Sequence, residues 1–300
     1  MKNIKIFNKE GLQFLSDIPD NSIDLILTDP PYITSRETGM DKWVEHVKKQ
    51  DEEGSKNVKT LEEWENYKTP EEWQAWFIQG NVPENKREKR LKTLQENYIK
   101  YGSIYGKKFA VTTDYGDWDK DFTMETLELF VKHFHRILRD GGTCIIFFDL
   151  WKLSHLSEMM IQEKFKQLRF IEWIKTNPQP INSSVNYLTN CREIALSGIK
   201  KSKPTFNSKY DKGIYEHPIY GGKDRFHPTQ KSLLLFEELI EKHCNEGDIV
   251  LDCFLGSGTT AVAALNTNRK FIGCELDPEY YEKSLARLEQ YINKKEQQNG

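Results

Sequence analysis

Two short stretches carry residues that could do chemistry together. Near the start, Asp29-Pro30-Pro31-Tyr32 follows the apolar run Ile23 to Thr28. Successive prolines continue neither a strand ladder nor a helix, so they form a rigid corner that presents Asp29 at a strand end. An exocyclic amine of adenine or cytosine is a poor nucleophile, because its lone pair is delocalised into the ring. Acceptors that hold the amine hydrogens draw that pair out of conjugation, and Asp29 with the Pro30 carbonyl could be those acceptors. Tyr32 adds an aromatic face on which an extruded base can stack. Taken alone, such a tetrapeptide is more often a plain strand-end turn.

Near the other end, Asp252-Cys253-Phe254-Leu255-Gly256-Ser257-Gly258-Thr259-Thr260 follows a second apolar run. Its Gly-x-Gly lacks both the third glycine of a full dinucleotide fingerprint and the Lys-Ser/Thr pair of a phosphate cradle, which disfavours a nucleoside triphosphate. Gly256 and Gly258 let a ligand approach the backbone closely. Glu275, at the end of the next strand, is placed to accept both hydroxyls of a ribose. Adenosine fits this geometry, and so does a tight turn with an incidental acid.

These loops need a frame. Lys5 to Phe7 reads as a short strand, Gly11 to Ile18 as a short helix and Ile23 to Thr28 as a buried strand. Apolar residues recur at helical spacing from Thr123 to Leu138, and the pair Gly141-Gly142 is expected to end that helix. Thr143 to Phe148, Phe170 to Ile174 and Arg192 to Ser197 read as strands, with a helix from Leu153 to Phe165. The final unit is βαβ: helix Leu233 to Cys244, strand Ile249 to Cys253, the glycine loop, a helix to Leu265, strand Phe271 to Glu275, and a closing helix from Pro278 to Ile292. Strands alternating with helices predict an α/β, doubly wound sheet.

Residues 36–112 have another texture, with crowded charges, no strand pattern and four of the seven tryptophans (Trp43, Trp64, Trp73, Trp76). They read as a helical insertion. Within it, Glu84 to Lys108 holds eight basic residues against three acidic ones, and Lys200 to Lys231 holds the same ratio in a loop-like stretch. Charge runs are usually solvated faces. The second stretch interleaves its cations with Phe206, Tyr210, Tyr215, Tyr220 and Phe226, which suits a phosphate backbone and stacked bases. The whole chain, with 43 Lys+Arg and 46 Asp+Glu, has a formal charge of −3 and hides both stretches. Its apolar runs are strand-sized, with neither a secretory leader nor a membrane anchor, so a cytoplasmic protein is expected. The five cysteines are widely spaced, with no CxxC pair, and read as buried free thiols.

Taken together, the two loops resemble the amino-group DNA methyltransferases, and their order, catalytic motif first and cofactor motif last, is similar to the beta class. Further agreement comes from Pro19 to Ile26, Arg136 to Gly142, His227-Pro228-Thr229-Gln230-Lys231 and Glu275 to Tyr281. The resemblance implies a Rossmann-like, S-adenosylmethionine-dependent methyltransferase fold with circularly permuted motif order and a helical insertion. Residues 1–35 and 113–199 would form its catalytic half, 227–292 its cofactor half, 200–226 a basic target-recognition loop and 293–300 a flexible tail. It implies Asp29, Pro30, Pro31 and Tyr32 at the target amine. S-adenosylmethionine would lie at Asp29, Asp252, Phe254, Gly256, Ser257, Gly258 and Thr259, with Glu275 on the ribose and Glu10 by the adenine. Thr229, Gln230 and Lys231 would close over the methionine end. Departures from the family pattern are Lys9, where glycine is usual, and Cys253, where proline is usual.

The implied reaction is direct methyl transfer to adenine N6, because the family's cytosine-N4 enzymes mostly begin the motif with serine. It needs no metal, and the lack of any Pro-Cys pair argues against carbon-5 methylation, which uses a cysteine nucleophile. DNA is the expected partner, contacted by Lys200, Lys201, Lys203, Lys209, Lys223 and Arg225. A homodimer and a cognate restriction endonuclease are left open, and no membrane partner is expected. Alternatives are cytosine N4, an RNA or single-stranded substrate, and a catalytically silent recognition subunit.

Overall fold

In the computed structural model, which describes residues 3–32, 59–80, 82–101, 122–178, 188–201, 203–222, 225–227 and 229–299, the chain begins with β1 (Ile4–Asn8), α1 (Gly11–Ser16) and β2 (Ile23–Thr28). Helices α2 (Leu61–Glu65), α3 (Pro70–Gln79) and α4 (Glu84–Tyr101) follow. Next come α5 (Met124–Ile137), β3 (Leu138–Phe148), α6 (Leu153–Gln162), β4 (Lys166–Lys175), β5 (Arg192–Ile199) and β6 (Ile214–His217). The chain closes with α7 (Leu233–His243), β7 (Ile249–Asp252), α8 (Thr259–Asn266), β8 (Lys270–Glu275) and α9 (Pro278–Asn299).

The eight strands make one sheet in the order β1-β8-β7-β2-β3-β5-β4-β6. Only β5 among them runs against its neighbours, pairing antiparallel with both β3 and β4. Side chains alternate across a strand, and in β2 Leu25 and Leu27 enter the core under α7 and α8, while Ile26 enters the core under α5 and α6. Both faces are thus covered, which gives three layers and explains why β2 is apolar throughout. Residues 35–114 form a second unit. There, capping boxes at Thr60/Glu63 and Thr69/Glu72 start α2 and α3, and Trp64, Trp73, Phe77, Leu94 and Tyr98 build a separate core.

Three expectations change. The helix before the Gly141-Gly142 pair ends earlier, at Ile137, and both glycines lie inside β3. Gly141 has φ +77°, and a Cβ there would meet the Lys203 carbonyl at 2.5 Å, so this glycine serves a close crossing of β3 under residue 203. The stretch 200–226 is not loop throughout: it contains β6, and Asn207, Asp211 and His217 fasten it to α7. Residues 293–299 continue α9 instead of forming a tail, with the Lys295 ammonium donating to the Leu265 carbonyl and Asn268. All five cysteines are free, four of them buried. No helix among the described residues is long and apolar enough to cross a membrane.

Candidate active site

Strand register brings the two motifs to one level. Ile26 pairs with Leu251 and Leu251 with Ile272, so Asp29 and Glu275, each three residues further on, end their strands at the same height. They stand two strand spacings apart, roughly 10 Å. The strand between them ends in Asp252, buried and fully engaged. Its Oδ1 accepts from the Thr28 hydroxyl at 2.6 Å and the Phe254 N–H at 3.0 Å, and its Oδ2 from the Thr260 hydroxyl at 2.6 Å. Asp252 therefore ties the strand carrying Asp29 to the glycine loop and to the start of α8. Burial holds its pKa above the ordinary carboxylate value despite those donors. It organises the site through these bonds.

The glycine loop is shaped from behind. Gly256 and Gly258 have φ of +52° and +75°, where a side chain is strained. A Cβ on Gly256 would meet the His227 imidazole at 3.2 Å, and one on Gly258 would meet Ser284 of α9 at the same distance. Packing against protein, not only access for a ligand, requires these glycines. The Ser257 and Thr259 side chains are buried against α9, where Arg287 donates to the Ser257 carbonyl at 2.8 Å and the Thr259 hydroxyl at 3.0 Å. Phe254 packs on Phe130 and Phe122. Glu275 is buried, its oxygens accepting from the N–H groups of Gly256 at 2.7 Å and Asp277 at 2.9 Å. Burial raises its pKa, and each oxygen keeps a further lone pair. Glu10 caps α1 through the N–H groups of Leu12 and Gln13.

At Asp29 the electrostatics are dense. The Lys231 ammonium lies 3.0 Å from Asp29 Oδ2 and 2.5 Å from Glu193 Oε2, and the other Glu193 oxygen lies 2.7 Å from the Lys175 ammonium. Burial raises the Asp29 pKa to about 6, with Lys231 opposing and Glu193 reinforcing the rise. Burial works against the Lys231 ammonium, yet Asp29 and Glu193 overcome it and hold its pKa well above the usual lysine value. Tyr32 packs edge-on against Phe148, with Lys231 over its ring. Among the described residues, Asp29 Oδ1, the Tyr32 hydroxyl and Gln230 Oε1 are buried without a hydrogen-bond partner. Buried polar atoms are normally paired; Asp29 and Tyr32 lie near enough to act on each other's titration yet make no hydrogen bond of good geometry, which leaves both able to take a ligand. Pro30 is buried and Pro31 half-buried.

The ammonium of Lys231, a residue expected at the cofactor, lies on the two carboxylates. Gln230 is buried and Thr229 exposed, with the Thr229 N–H on the His227 ring. That ring is buried, which lowers its pKa to about 4, with Lys231 and Arg225 adding to the fall. Glu193, Lys175, Thr28 and Arg287 were missed. The one available signal was an acid, Glu193, at the charged start of a mostly apolar strand.

The basic candidates divide. Lys200 is a correction: it is buried, and its ammonium donates to Asn21 and to the Arg136 and Leu138 carbonyls. Lys201 is exposed and pairs with Asp140. Lys203, Lys209 and Arg225 are exposed, and Lys223 lies outside the described residues.

Solved structures share this architecture. The M1.HpyAVI complex with S-adenosylmethionine has a TM-score of 0.56 at 23% identity, over 95% of this chain and 99% of that one. The cytosine-N4-specific PvuII DNA methyltransferase has a TM-score of 0.60 at 15% identity, over 97% of this chain and 90% of that one. The fold is that of the Rossmann-like methyltransferases, with the catalytic-type loop ahead of the glycine loop. Residues 23–286 match the model of the N6/N4 methyltransferases, described as DNA methylase, and the chain belongs to that family. Relatives include the Type II methyltransferase M2.DpnII of Streptococcus pneumoniae, 34% identical over 199 residues (60% of this chain, 74% of that protein). Another is M2.MboI of Moraxella bovis, 25% identical over 304 residues (95% and 88%).

The family's cofactor is S-adenosylmethionine, and the residues present suit it. A ribose diol needs an acceptor with spare lone pairs, which Glu275 has. A sulfonium cation is favoured by aromatic faces and nearby carboxylates, which Phe254, Tyr32 and Asp29 supply. Polar groups of the amino-acid end can satisfy Gln230 Oε1.

Proposed function

We propose that this protein methylates N6 of adenine in DNA. Asp29 supports adenine over cytosine, because the family's cytosine enzymes mostly begin the motif with serine. The observation that carries the chemistry is the asymmetry of Asp29, with one oxygen held by Lys231 and the other buried, near Tyr32 but without a hydrogen bond of good geometry. Glu275, the Gly256 backbone, Phe254 and Gln230 would hold S-adenosylmethionine. When bound, it would supply an electrophilic methyl group, the sulfur–methyl bond breaking with its electron pair to leave a neutral thioether.

The free Asp29 oxygen accepts a hydrogen from the target amine and concentrates the lone pair on nitrogen. As the nitrogen–carbon bond forms, the amine gives up one proton, for which a carboxylate with a pKa of about 6 is a competent acceptor near neutral pH. Tyr32 supplies the face against which the extruded base rests. Rigid backbone on both sides of Asp29, with β2 below and two prolines above, fixes the acceptor and favours the reaction through orientation.

DNA is the substrate of this reading, held through exposed cations. Lys203, Lys209 and Arg225 provide some. On α4, Lys86, Lys89, Arg90 and Lys92 are exposed, whereas Leu94 and Tyr98 are buried, and the exposed cations suit a phosphate backbone. The Type II names of the relatives support a place in a restriction-modification system, with a cognate endonuclease acting on the same sites. The test is Asp29→Ala: S-adenosylmethionine binding should survive within a few-fold while methyl transfer falls by about 10³-fold or more. Methyl transfer persisting in that variant would refute the role of Asp29.

A further inference from the structure

Asp29, Lys231, Glu193 and Lys175 form a row of alternating charge along one sheet edge. They come from the end of β2, the segment before α7, the start of β5 and the end of β4. Register explains how they meet: Thr28 pairs with Ile146 and Phe148 with Ile194, so Glu193 stands two strands from Asp29 and about two residues higher. A lysine side chain spans that gap. Side-chain exposures of 18% for Asp29, 9% for Lys231, 20% for Glu193 and 11% for Lys175 place the row largely out of water.

An ammonium facing Asp29 alone would be free to engage either oxygen. Sharing it with Glu193 draws it to one side, which matches the observed contact with Oδ2 and the unpaired Oδ1. Lys175 then balances the extra negative charge, as a buried ionic group requires. We propose that Glu193 is a positioning residue for methyl transfer: it holds the Lys231 ammonium on one oxygen of Asp29 and thereby leaves the other open to the target amine. This rests on Asp29 being the amine acceptor. The titratable groups facing Asp29 among the described residues are Lys231, Glu193 and Tyr32, and the Glu193 charge makes Asp29 more basic.

The test compares Glu193→Gln, Glu193→Asp, Lys175→Met and Asp29→Asn in the full-length protein, with kcat against pH on duplex DNA and S-adenosylmethionine affinity by calorimetry. Glu193→Gln should lower kcat on the order of 10²-fold with cofactor affinity unchanged within about threefold. Its acid limb should move to lower pH by about one unit. Glu193→Asp, which keeps the charge, should recover part of the rate and keep the limb in place. Lys175→Met removes only the outer cation, so it should move the limb upward, and it serves as the second variant should Glu193→Gln not fold. An unchanged kcat and limb in Glu193→Gln and Lys175→Met, or a loss confined to cofactor affinity, would overturn the proposal. Methyl transfer surviving in Asp29→Asn would refute the acceptor reading itself; its collapse there, with Glu193→Gln active as wild type, would refute only the role of Glu193.

Discussion

Asp29 has two oxygens in different circumstances, and its protonation decides whether either can serve as an acceptor. Its pKa of about 6 means that the reactive, ionised form dominates above that pH and is lost as pH falls through it. Plots of log kcat/KM against pH should therefore show an acid limb near 6, absent in a variant whose residual rate no longer uses Asp29; a profile flat from pH 8 to 5 would contradict this. Lys200 makes the opposite point, since its three hydrogen bonds are internal. Lys200→Ala strands buried acceptors and should destabilise the fold by about 1–3 kcal/mol, while the salt dependence of DNA binding stays unchanged. Chemical denaturation and a salt series check the two halves separately. Asp29 and Glu275 were readable because each ends an apolar strand beside a recognisable loop. Lys200 was misassigned, and the carboxylate contacts of Lys231 were not foreseen, because their partners, Asn21 and Leu138 for one and Asp29 and Glu193 for the other, lie far away in sequence.

At the scale of elements, the strands could be read directly, since β2, β3 and β8 are apolar runs bounded by turns. What escaped was anything set by tertiary contact. The reversal of β5 and its position between β3 and β4 leave no mark in its own residues, although that reversal brings Glu193 to the edge that carries Asp29. Short β6 was hidden in a basic stretch, because its four residues are defined by pairing with β4. The directions of Ser257 and Thr259 depend on Arg287, about thirty residues later. Helix α4 carries the element-scale prediction. Changing Lys86, Lys89, Arg90 and Lys92 to glutamine should weaken DNA binding for all sequences alike. The slope of log affinity against log salt should become shallower by up to about 3–4, roughly 0.9 for each phosphate no longer neutralised. An unchanged slope would show that this face is merely solvated.

For the whole molecule, a near-neutral total charge conceals a division of labour. The three-layer sheet brings an acid from β2 and an acid from β8 to one height, while exposed cations lie on the segment after β5 and on α4. Motif order was enough to recognise the family, because two loops more than two hundred residues apart must converge at neighbouring strand ends for either to be useful. Such convergence is proposed to methylate adenine at N6 in DNA. Its most direct test is incubation of the protein with labelled S-adenosylmethionine and unmethylated genomic DNA, followed by digestion to nucleosides and mass analysis. N6-methyladenine as the labelled product is the predicted result. N4-methylcytosine in its place would contradict the use of Asp29 to choose the base, and no labelled base from a protein that binds the cofactor would contradict the account as a whole.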